Sequence, residues 1–241
     1  RYTFDQVTPV VENIMADIEG MEFGSNVKPA SGEATKELAK TYEGMVRSIE
    51  ADSGATDIYR SACRRLIRRG FDAWIIKAKF KDEWSFDQSL VIEAIPNAIN
   101  RVWTDNTSSK ADSSDSDVAY VLTSVSPAAY KEQFPEGKAI SIDDADLGEH
   151  YNQYRPDVIV FGERYYKKET SREVCQLSNG EIVEKDDNFK KVVDEYKAQG
   201  VTVVREKKVK DFKIYHRFFD GGGMLSKERE TVFKTLPVVT V

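Results

Sequence analysis

The sequence predicts an α+β fold in which a helical layer packs on a mixed, mainly antiparallel β-sheet. Over the first 70 residues, apolar side chains recur three and four positions apart, which is the spacing of amphipathic helices. After Gly70 the spacing becomes two, which is typical of strands with one buried face. With 241 residues, 40% of them hydrophobic and 32% charged, the chain has room for one large or two small folded domains.

Three helices are predicted in the first region. Apolar residues within 7–18 share one face of a helix, and Gly20 stands where that helix would end. Ser31 can cap a second helix, and Gly54 separates it from a third helix that ends at Gly70. The apolar positions of the second and third helices are Leu38, Tyr42, Met45, Val46, Ile49, Ile58, Ala62 and Leu66.

Strands and one short helix are predicted next. The alternating segments 71–80 and 89–96 form an antiparallel pair across a turn that contains the sequence KDEWSFD. Residues 100–105 form an edge piece, and a further strand covers 118–125. Pro127 then suits the first position of a short helix.

A linker is predicted over the polar segment 136–157, which Gly and Pro residues bound. It divides an N-terminal part, 1–135, from a C-terminal part, 158–241. The C-terminal part is predicted to contain a strand over 157–169 and a hairpin over 172–183 that turns at residues 179–180. A helix over 188–200 and further strands around a glycine turn are predicted to follow.

Composition narrows the functional classes. The formal net charge of −6 disfavours a protein built to attract nucleic acid, and no apolar run is long enough to span a bilayer. Cys63 and Cys175 have no metal-binding or redox spacing, which fits a reducing compartment. Because the chain begins at Arg1 rather than Met and stops at Val241 inside an apolar run, we expect a piece of a longer protein.

The acidic segment 103–117, WTDNTSSKADSSDSD, resembles a metal-binding loop in composition only. A calcium-binding EF-hand loop needs carboxylates at alternate positions, a central glycine and a terminal glutamate. Asp112, Asp115 and Asp117 are irregularly spaced, and the segment holds neither Gly nor Glu. It is therefore predicted to be a solvated surface loop without a metal ion.

Catalytic and cofactor motifs are not found. The segment 220–228, DGGGMLSKE, has its lysine and serine in the wrong places for a phosphate-binding loop, so a hairpin turn is expected. His150 and His216 have no evident nucleophile beside them. A hydrolase-type enzyme that uses a pair of acidic residues stays open, and a deep pocket with converging carboxylates of shifted pKa would distinguish it.

A concentrated basic patch lies on the third helix. Arg64, Arg65, Arg68 and Arg69 follow each other within RRLIRR. Such residues are usually solvated on the outer face of an amphipathic helix. They would equally suit phosphate groups or an acidic surface of another subunit.

The elements, taken in order, resemble the portal proteins (head-to-tail connectors) of short-tailed bacteriophages of the Salmonella type. The collinear order of several short features over nearly the whole chain carries the resemblance. These features are Phe4-Asp5 with Pro9 to Val11, then Gly70 with Ala73 and Trp74, then Ile95-Pro96, Val102 to Asp105, a polar loop containing Asp112, Ser114 and Asp115, the segment YKEQFP, the segment VIVFGERYYKKET, and finally LPVVTV.

The resemblance implies a structural subunit without catalytic residues or cofactors. Portal proteins form a twelvefold ring at one capsid vertex, through which double-stranded DNA is packaged and ejected without sequence-specific binding. The implied partners are the large terminase subunit, tail and adaptor proteins, and capsid and scaffolding proteins. The implied locations are the virion and, during assembly, the cytoplasm of the bacterial host. Another capsid ring or adaptor component is the second alternative.

The chain is similar to the wing (hip) region of such a subunit and is expected to stop before the stem helix. A shallow surface with an apolar edge at 238–241 would favour this interpretation over an enzyme. Opposite charges on separate surfaces can pair around a ring, so one of the two charged patches is expected at the subunit interface. The candidate interface residues are Arg64, Arg65, Arg68, Arg69, Asp112, Asp115 and Asp117.

Overall fold

The computed structural model describes residues 4–21, 24–29, 35–110, 112–142, 158–185, 189 and 200–241. Most of the predicted helix over 188–200, most of the predicted linker and His150 lie outside the described residues. Within the described part, three helices come first and the antiparallel strands follow them in an α+β fold, which confirms the predicted fold class.

The helices begin and end close to the predicted positions. They are α1 (Val7–Glu19), α2 (Lys36–Asp52), α3 (Ala55–Arg69) and α4 (Pro127–Gln133), with a 3-10 turn at Ala98–Asn100.

The ends of these helices are fixed by local chemistry. The side chain of Thr35 accepts a hydrogen bond from the Leu38 backbone N–H and caps α2, whereas the predicted cap, Ser31, lies outside the described residues. Gly54 and Gly70 bound α3 in the left-handed conformation, with φ of 60° and 77°. A side chain would strain both positions, so the glycines are required where the sequence analysis placed the helix boundaries.

The strands form two sheets. The smaller sheet has the order β10–β1–β2, and the larger has the path β3–β4–β5–β7–β8, with β6 paired to β5 and β9 to β7. Every strand pair among the described residues is antiparallel, in agreement with the mainly antiparallel sheet that the sequence predicts. The strands are β1 (Ala73–Phe80), β2 (Gln88–Ala94), β3 (Val102–Thr104), β4 (Val118–Val125), β5 (Ile159–Leu177), β6 (Ile182–Glu184), β7 (Val203–Asp220), β8 (Gly223–Met224), β9 (Arg229–Glu230) and β10 (Val238–Thr240).

The main core lies between the two sheets. Ala73 and Ile75 of β1 pack against Ala119, Tyr165 and Ile214, which share the inner face of the larger sheet. On its other side, the smaller sheet contacts α2 and α3 through β2. The arrangement is therefore layered, with helices, the smaller sheet and the larger sheet in succession.

A second core cluster fixes α4 on the larger sheet. Tyr130 and Phe134 of α4 pack against Phe161 of β5 and Phe218 of β7, with ring centroids 5.2 to 6.2 Å apart. The Tyr130 hydroxyl donates a 2.6 Å hydrogen bond to Asp220 at the glycine turn. These contacts stabilise the short helix that starts at Pro127.

The apolar stripes of the first two helices are only partly covered. Val11 and Met15 of α1 are buried, but Leu38, Tyr42 and Met45 of α2 are 46%, 53% and 55% exposed among the described residues. Periodicity predicted the helices, but it did not identify which side of each stripe is buried.

The strands β5 and β7 are longer than the sequence analysis suggested. The segments read as a strand and a separate hairpin arm form one 19-residue strand, which pairs with the 18-residue β7. The hairpin turn at residues 179–180 is as predicted, with Gly180 at φ 89°.

Strands from both sides of the predicted linker share the larger sheet. β4 pairs with β5 from the Val118–Tyr166 pair to the Val125–Ile159 pair. The division at 136–157 remains a prediction. The final strand, β10, is an edge strand, but Val238 is only 3% exposed, so this edge presents no open apolar surface.

Candidate functional site

The arginines of α3 form ion pairs and hydrogen bonds with other parts of the same chain. The Arg64 and Arg68 guanidinium groups lie 3.3 and 2.9 Å from the Glu12 carboxylate of α1. Arg69 donates a 3.0 Å hydrogen bond to the Asn97 side chain. The side chains of Arg64 and Arg68 remain 41% and 46% exposed, and two positive charges face one carboxylate. This part of α3 therefore keeps a positive outer surface.

Arg65 is a structural residue. Its Nε donates a 2.9 Å hydrogen bond to Asp72, whose side chain is 1% exposed. The Asp72 backbone in turn exchanges hydrogen bonds with Val241. Arg65 therefore neutralises a buried carboxylate where α3, β1 and the last strand meet.

The acidic loop, residues 105–117, is organised by its own carboxylates. Asp115 accepts hydrogen bonds from the Ser108 hydroxyl at 2.6 Å and the Ser109 backbone N–H at 2.8 Å. These donors lower the pKa of Asp115 to about 2. The Ser114 backbone N–H likewise lowers the pKa of Asp112. The carboxylates thus cap local turns.

The acidic loop is also fixed to the body of the protein. Ser113, at φ 50°, shares a 2.7 Å hydrogen bond with Thr240 of β10. Asp117 lies 3.7 Å from the Lys167 ammonium and is 73% exposed. Among the described residues no group of three or more potential ligands is arranged to hold a metal ion.

The two charged patches stand on different elements. The arginines lie on α3 in the helical layer, whereas the acidic loop joins β3 to β4 at the edge of the larger sheet. The structure thus places the candidate residues as two surfaces of opposite sign, each with internal partners.

A buried polar cluster between the sheets was not predicted. Glu163 of β5 accepts hydrogen bonds from the Lys77 ammonium at 2.9 Å and the Tyr165 hydroxyl at 2.7 Å. His216 Nε2 lies 3.3 Å from the same carboxylate, outside hydrogen-bonding geometry. The available signal was the alternation of Glu163 and Tyr165, which places both on one face of a strand.

The electrostatics of this cluster favour an ionised carboxylate. Burial raises the pKa of Glu163, but His216, Lys77 and Tyr165 together outweigh that effect and lower the pKa to about 2. Burial and the adjacent Glu163 charge raise the pKa of the Tyr165 hydroxyl. Lys77 and Glu163 thus connect the smaller sheet to the larger one as an ion pair.

An enzyme using two carboxylates would need them to converge. Among the described residues, the buried carboxylates lie on separate elements, and each has a basic or hydroxyl partner. The pairs are Asp72 with Arg65, Glu163 with Lys77, and Asp220 with Tyr130.

The glycine turn after β7 carries the Asp220 carboxylate at a place where a phosphate-binding loop would need hydrogen-bond donors. Asp220 accepts hydrogen bonds from Tyr130 and from the Gly222 backbone N–H at 2.8 Å. A negative charge at this place disfavours a phosphate group. The predicted hairpin turn is confirmed by the pairing of β7 with β8.

Two further surfaces were missed by the sequence analysis. The tip of the β1–β2 hairpin exposes Trp84 and Phe86 by 92% and 96%. The outer face of the larger sheet carries arginine and tyrosine side chains, among them Arg164 and Tyr166 of β5 and Tyr120 of β4. The strand positions of these residues were visible in the sequence, but the exposure of Trp84 and Phe86 was not.

Comparison with known proteins identifies the family. The family model for the Phage P22-like portal protein matches residues 1–241. A curated relative, the portal protein of Acyrthosiphon pisum secondary endosymbiont phage 1, is 21% identical over 248 residues. That alignment covers 100% of this chain but 34% of the relative, so the chain spans about a third of the relative's length. No described helix is long and apolar enough to cross a membrane. The chain belongs to the P22-like portal protein family, a family of structural proteins of bacteriophages.

Proposed function

We propose that this chain is the wing (hip) region of a subunit that forms a dodecameric portal ring at the capsid vertex. The observation that carries the proposal is the family match over residues 1–241. In the proposed ring, the channel passes double-stranded DNA during packaging and ejection without reading its sequence. The net charge of −6 supports this role, because an acidic wall does not retain the phosphate backbone.

The proposed partners follow from that position in the particle. The ring docks the large terminase subunit during packaging and tail or adaptor proteins afterwards, and it contacts capsid and scaffolding proteins. The subunit is made and assembled in the bacterial host cytoplasm before it becomes part of the virion. No cofactor or metal ion takes part in this role.

The charged patches are proposed as one neighbour contact in the ring. The outer surface of α3, with Arg64 and Arg68, is positive, and the acidic loop presents Asp112 and Asp117 on another element. Head-to-tail contacts bring different surfaces of neighbouring subunits together, so such charges can pair around a closed circle. Arg65, Arg69 and Asp115 support these surfaces from within the subunit.

The proposal is tested on the full-length subunit. Native mass spectrometry is expected to show a closed ring of twelve copies, and electron microscopy is expected to show its central channel. The isolated 241-residue chain, proposed as the wing region alone, is expected to be monomeric. A full-length subunit that stays monomeric at high concentration would contradict the proposal.

A further inference from the structure

The tip of the β1–β2 hairpin, residues 81–87, exposes two large aromatic side chains. Trp84 is 92% exposed and Phe86 is 96% exposed. Isolated apolar residues are common on surfaces, but two nearly fully exposed aromatic rings on one turn are unusual. We call residues 81–87 the aromatic tip.

The aromatic tip is an ordered turn. The Lys81 backbone N–H donates to the Asp87 carbonyl at 3.1 Å. The Trp84 backbone N–H donates to the Asp82 carboxylate at 2.9 Å, and the Asp87 backbone N–H donates to the Ser85 hydroxyl at 3.0 Å. The rings are therefore presented on a preformed turn, which lowers the entropy lost when a partner binds.

A surface of matching chemistry lies on the outer face of the larger sheet. The register places Trp103, Tyr120, Arg164 and Arg217 in one row across four strands. The Arg164 guanidinium stacks 4.5 Å from the Tyr166 ring centroid and 5.8 Å from that of Tyr120. We call this surface the arginine–tyrosine face.

The two surfaces are complementary in charge and in residue type. The tip carries Asp82, Glu83 and Asp87 against a single lysine. On the arginine–tyrosine face, the Nε of Arg164 is buried and has no hydrogen-bond partner among the described atoms. Tryptophan, tyrosine and arginine are the residues that contribute most to binding at protein interfaces, and they tend to contact each other across the interface.

The aromatic tip of a chain cannot contact the arginine–tyrosine face of the same chain. The smaller sheet, which bears the tip, packs through Ala73 and Ile75 on the inner face of the larger sheet. Because side chains alternate along a strand, Arg164 and Tyr166 point away from that face, which Tyr165 occupies. A tip on this face would therefore have to come from another subunit.

We propose that the aromatic tip of one subunit binds the arginine–tyrosine face of the next subunit in the ring. The contact is head-to-tail, since the two surfaces differ, and repetition of such a contact closes a ring. It deepens the proposed function and rests on it.

The first test is ring assembly by the full-length subunit. The double variant Trp84→Ala/Phe86→Ala is expected to raise the concentration at half-assembly at least about tenfold, which is the effect of losing one interface hot spot. Arg164→Gln is expected to act in the same direction. The control Phe212→Ala removes a 45% exposed ring from the opposite face of β7 and is expected to leave assembly unchanged.

Folding is monitored separately by thermal melting. The tip variant is expected to melt like the parent protein, since both rings are solvated in the subunit. Normal melting with normal assembly would overturn the inference while leaving the ring itself intact. Absence of a ring in the unsubstituted protein would instead contradict the proposed function.

The second test locates the contact. A photo-crosslinking amino acid at position 86 in the assembled ring is expected to give a dimer crosslink that maps to β3, β4, β5 or β7. Crosslinks to any other surface, or to DNA in filled particles, would overturn the proposal.

Discussion

At the scale of single residues, the Lys77–Glu163 pair shows the cost of placing charge between two sheets. Glu163 is 7% exposed and depends on Lys77, Tyr165 and the nearby His216 for its ionised state. Removing one member of a buried pair leaves the other charge uncompensated, which is worse than removing both.

Substitution of Lys77 by Met is therefore expected to lower the free energy of unfolding by about 3 kcal/mol at neutral pH. The matched control is Lys79→Met on the same strand. Lys79 pairs with Glu93 at the surface and has a side chain that is 51% exposed, so its loss should cost less than about 1 kcal/mol. Urea denaturation measures both, and equal effects would show that the buried pair does not stabilise the inter-sheet core.

The pH dependence of stability follows from the same carboxylate. Its pKa in the folded protein, about 2, lies below the ordinary value of 4.5. Its contribution is therefore fully present above pH 4.5 and is lost as the pH falls through 2. Acid unfolding followed by circular dichroism should lose part of its slope in this interval in Glu163→Gln. An unchanged slope would show that other carboxylates govern acid unfolding.

At the scale of elements, the Phe219 side chain of β7 packs closely over Gly162 of the paired strand β5. A Cβ added at Gly162 would lie 2.3 Å from the Phe219 ring, which covers this part of β5. The Phe219 ring also makes an edge contact with the Tyr120 ring.

Gly162→Ala is expected to destabilise the protein by about 1 to 3 kcal/mol through overpacking. Gly44→Ala is expected to change stability in the opposite direction. A Cβ there meets nothing within 4 Å, and Gly44 lies inside α2. It should stabilise the protein by about 0.5 to 1 kcal/mol. Thermal melting of the two variants checks the prediction, and unchanged stability in Gly162→Ala would contradict this account of the ladder.

The acidic loop is the second element with a clear expectation. Asp112 and Asp115 already accept hydrogen bonds from the loop's own serines, so they are poorly arranged for a cation. Millimolar calcium is expected to leave the melting temperature unchanged. A large saturable rise would contradict the prediction.

At the scale of the whole molecule, ring assembly is where the charged patches should act. Reversal of Arg64 and Arg68 to Glu in the full-length subunit is expected to weaken ring formation, with partial rescue by Lys at Asp112 and Asp117. Arg65 and Asp115 are left unchanged, because they hold Asp72 and the acidic loop within the subunit. Native mass spectrometry measures assembly, and an unchanged ring after reversal would remove α3 from the interface.

The sequence by itself determined the elements and their order. Gly54 and Gly70 bounded α3 because a left-handed backbone favours glycine, and the change of spacing after Gly70 separated helices from strands. Hairpin turns were readable at 179–180 and in the glycine turn for the same local reason. The ordered set of short features also carried the family resemblance.

Only the tertiary structure decided which faces are buried and which charges meet. Lys77 and Glu163 are 86 residues apart, and no local pattern brings them together. The exposed stripe of α2, the intrachain role of Arg65 and the open aromatic tip likewise depend on where the two sheets pack. Periodicity assigns side chains to a face of one element, but burial is set by the neighbour that covers that face, and that neighbour is distant in sequence.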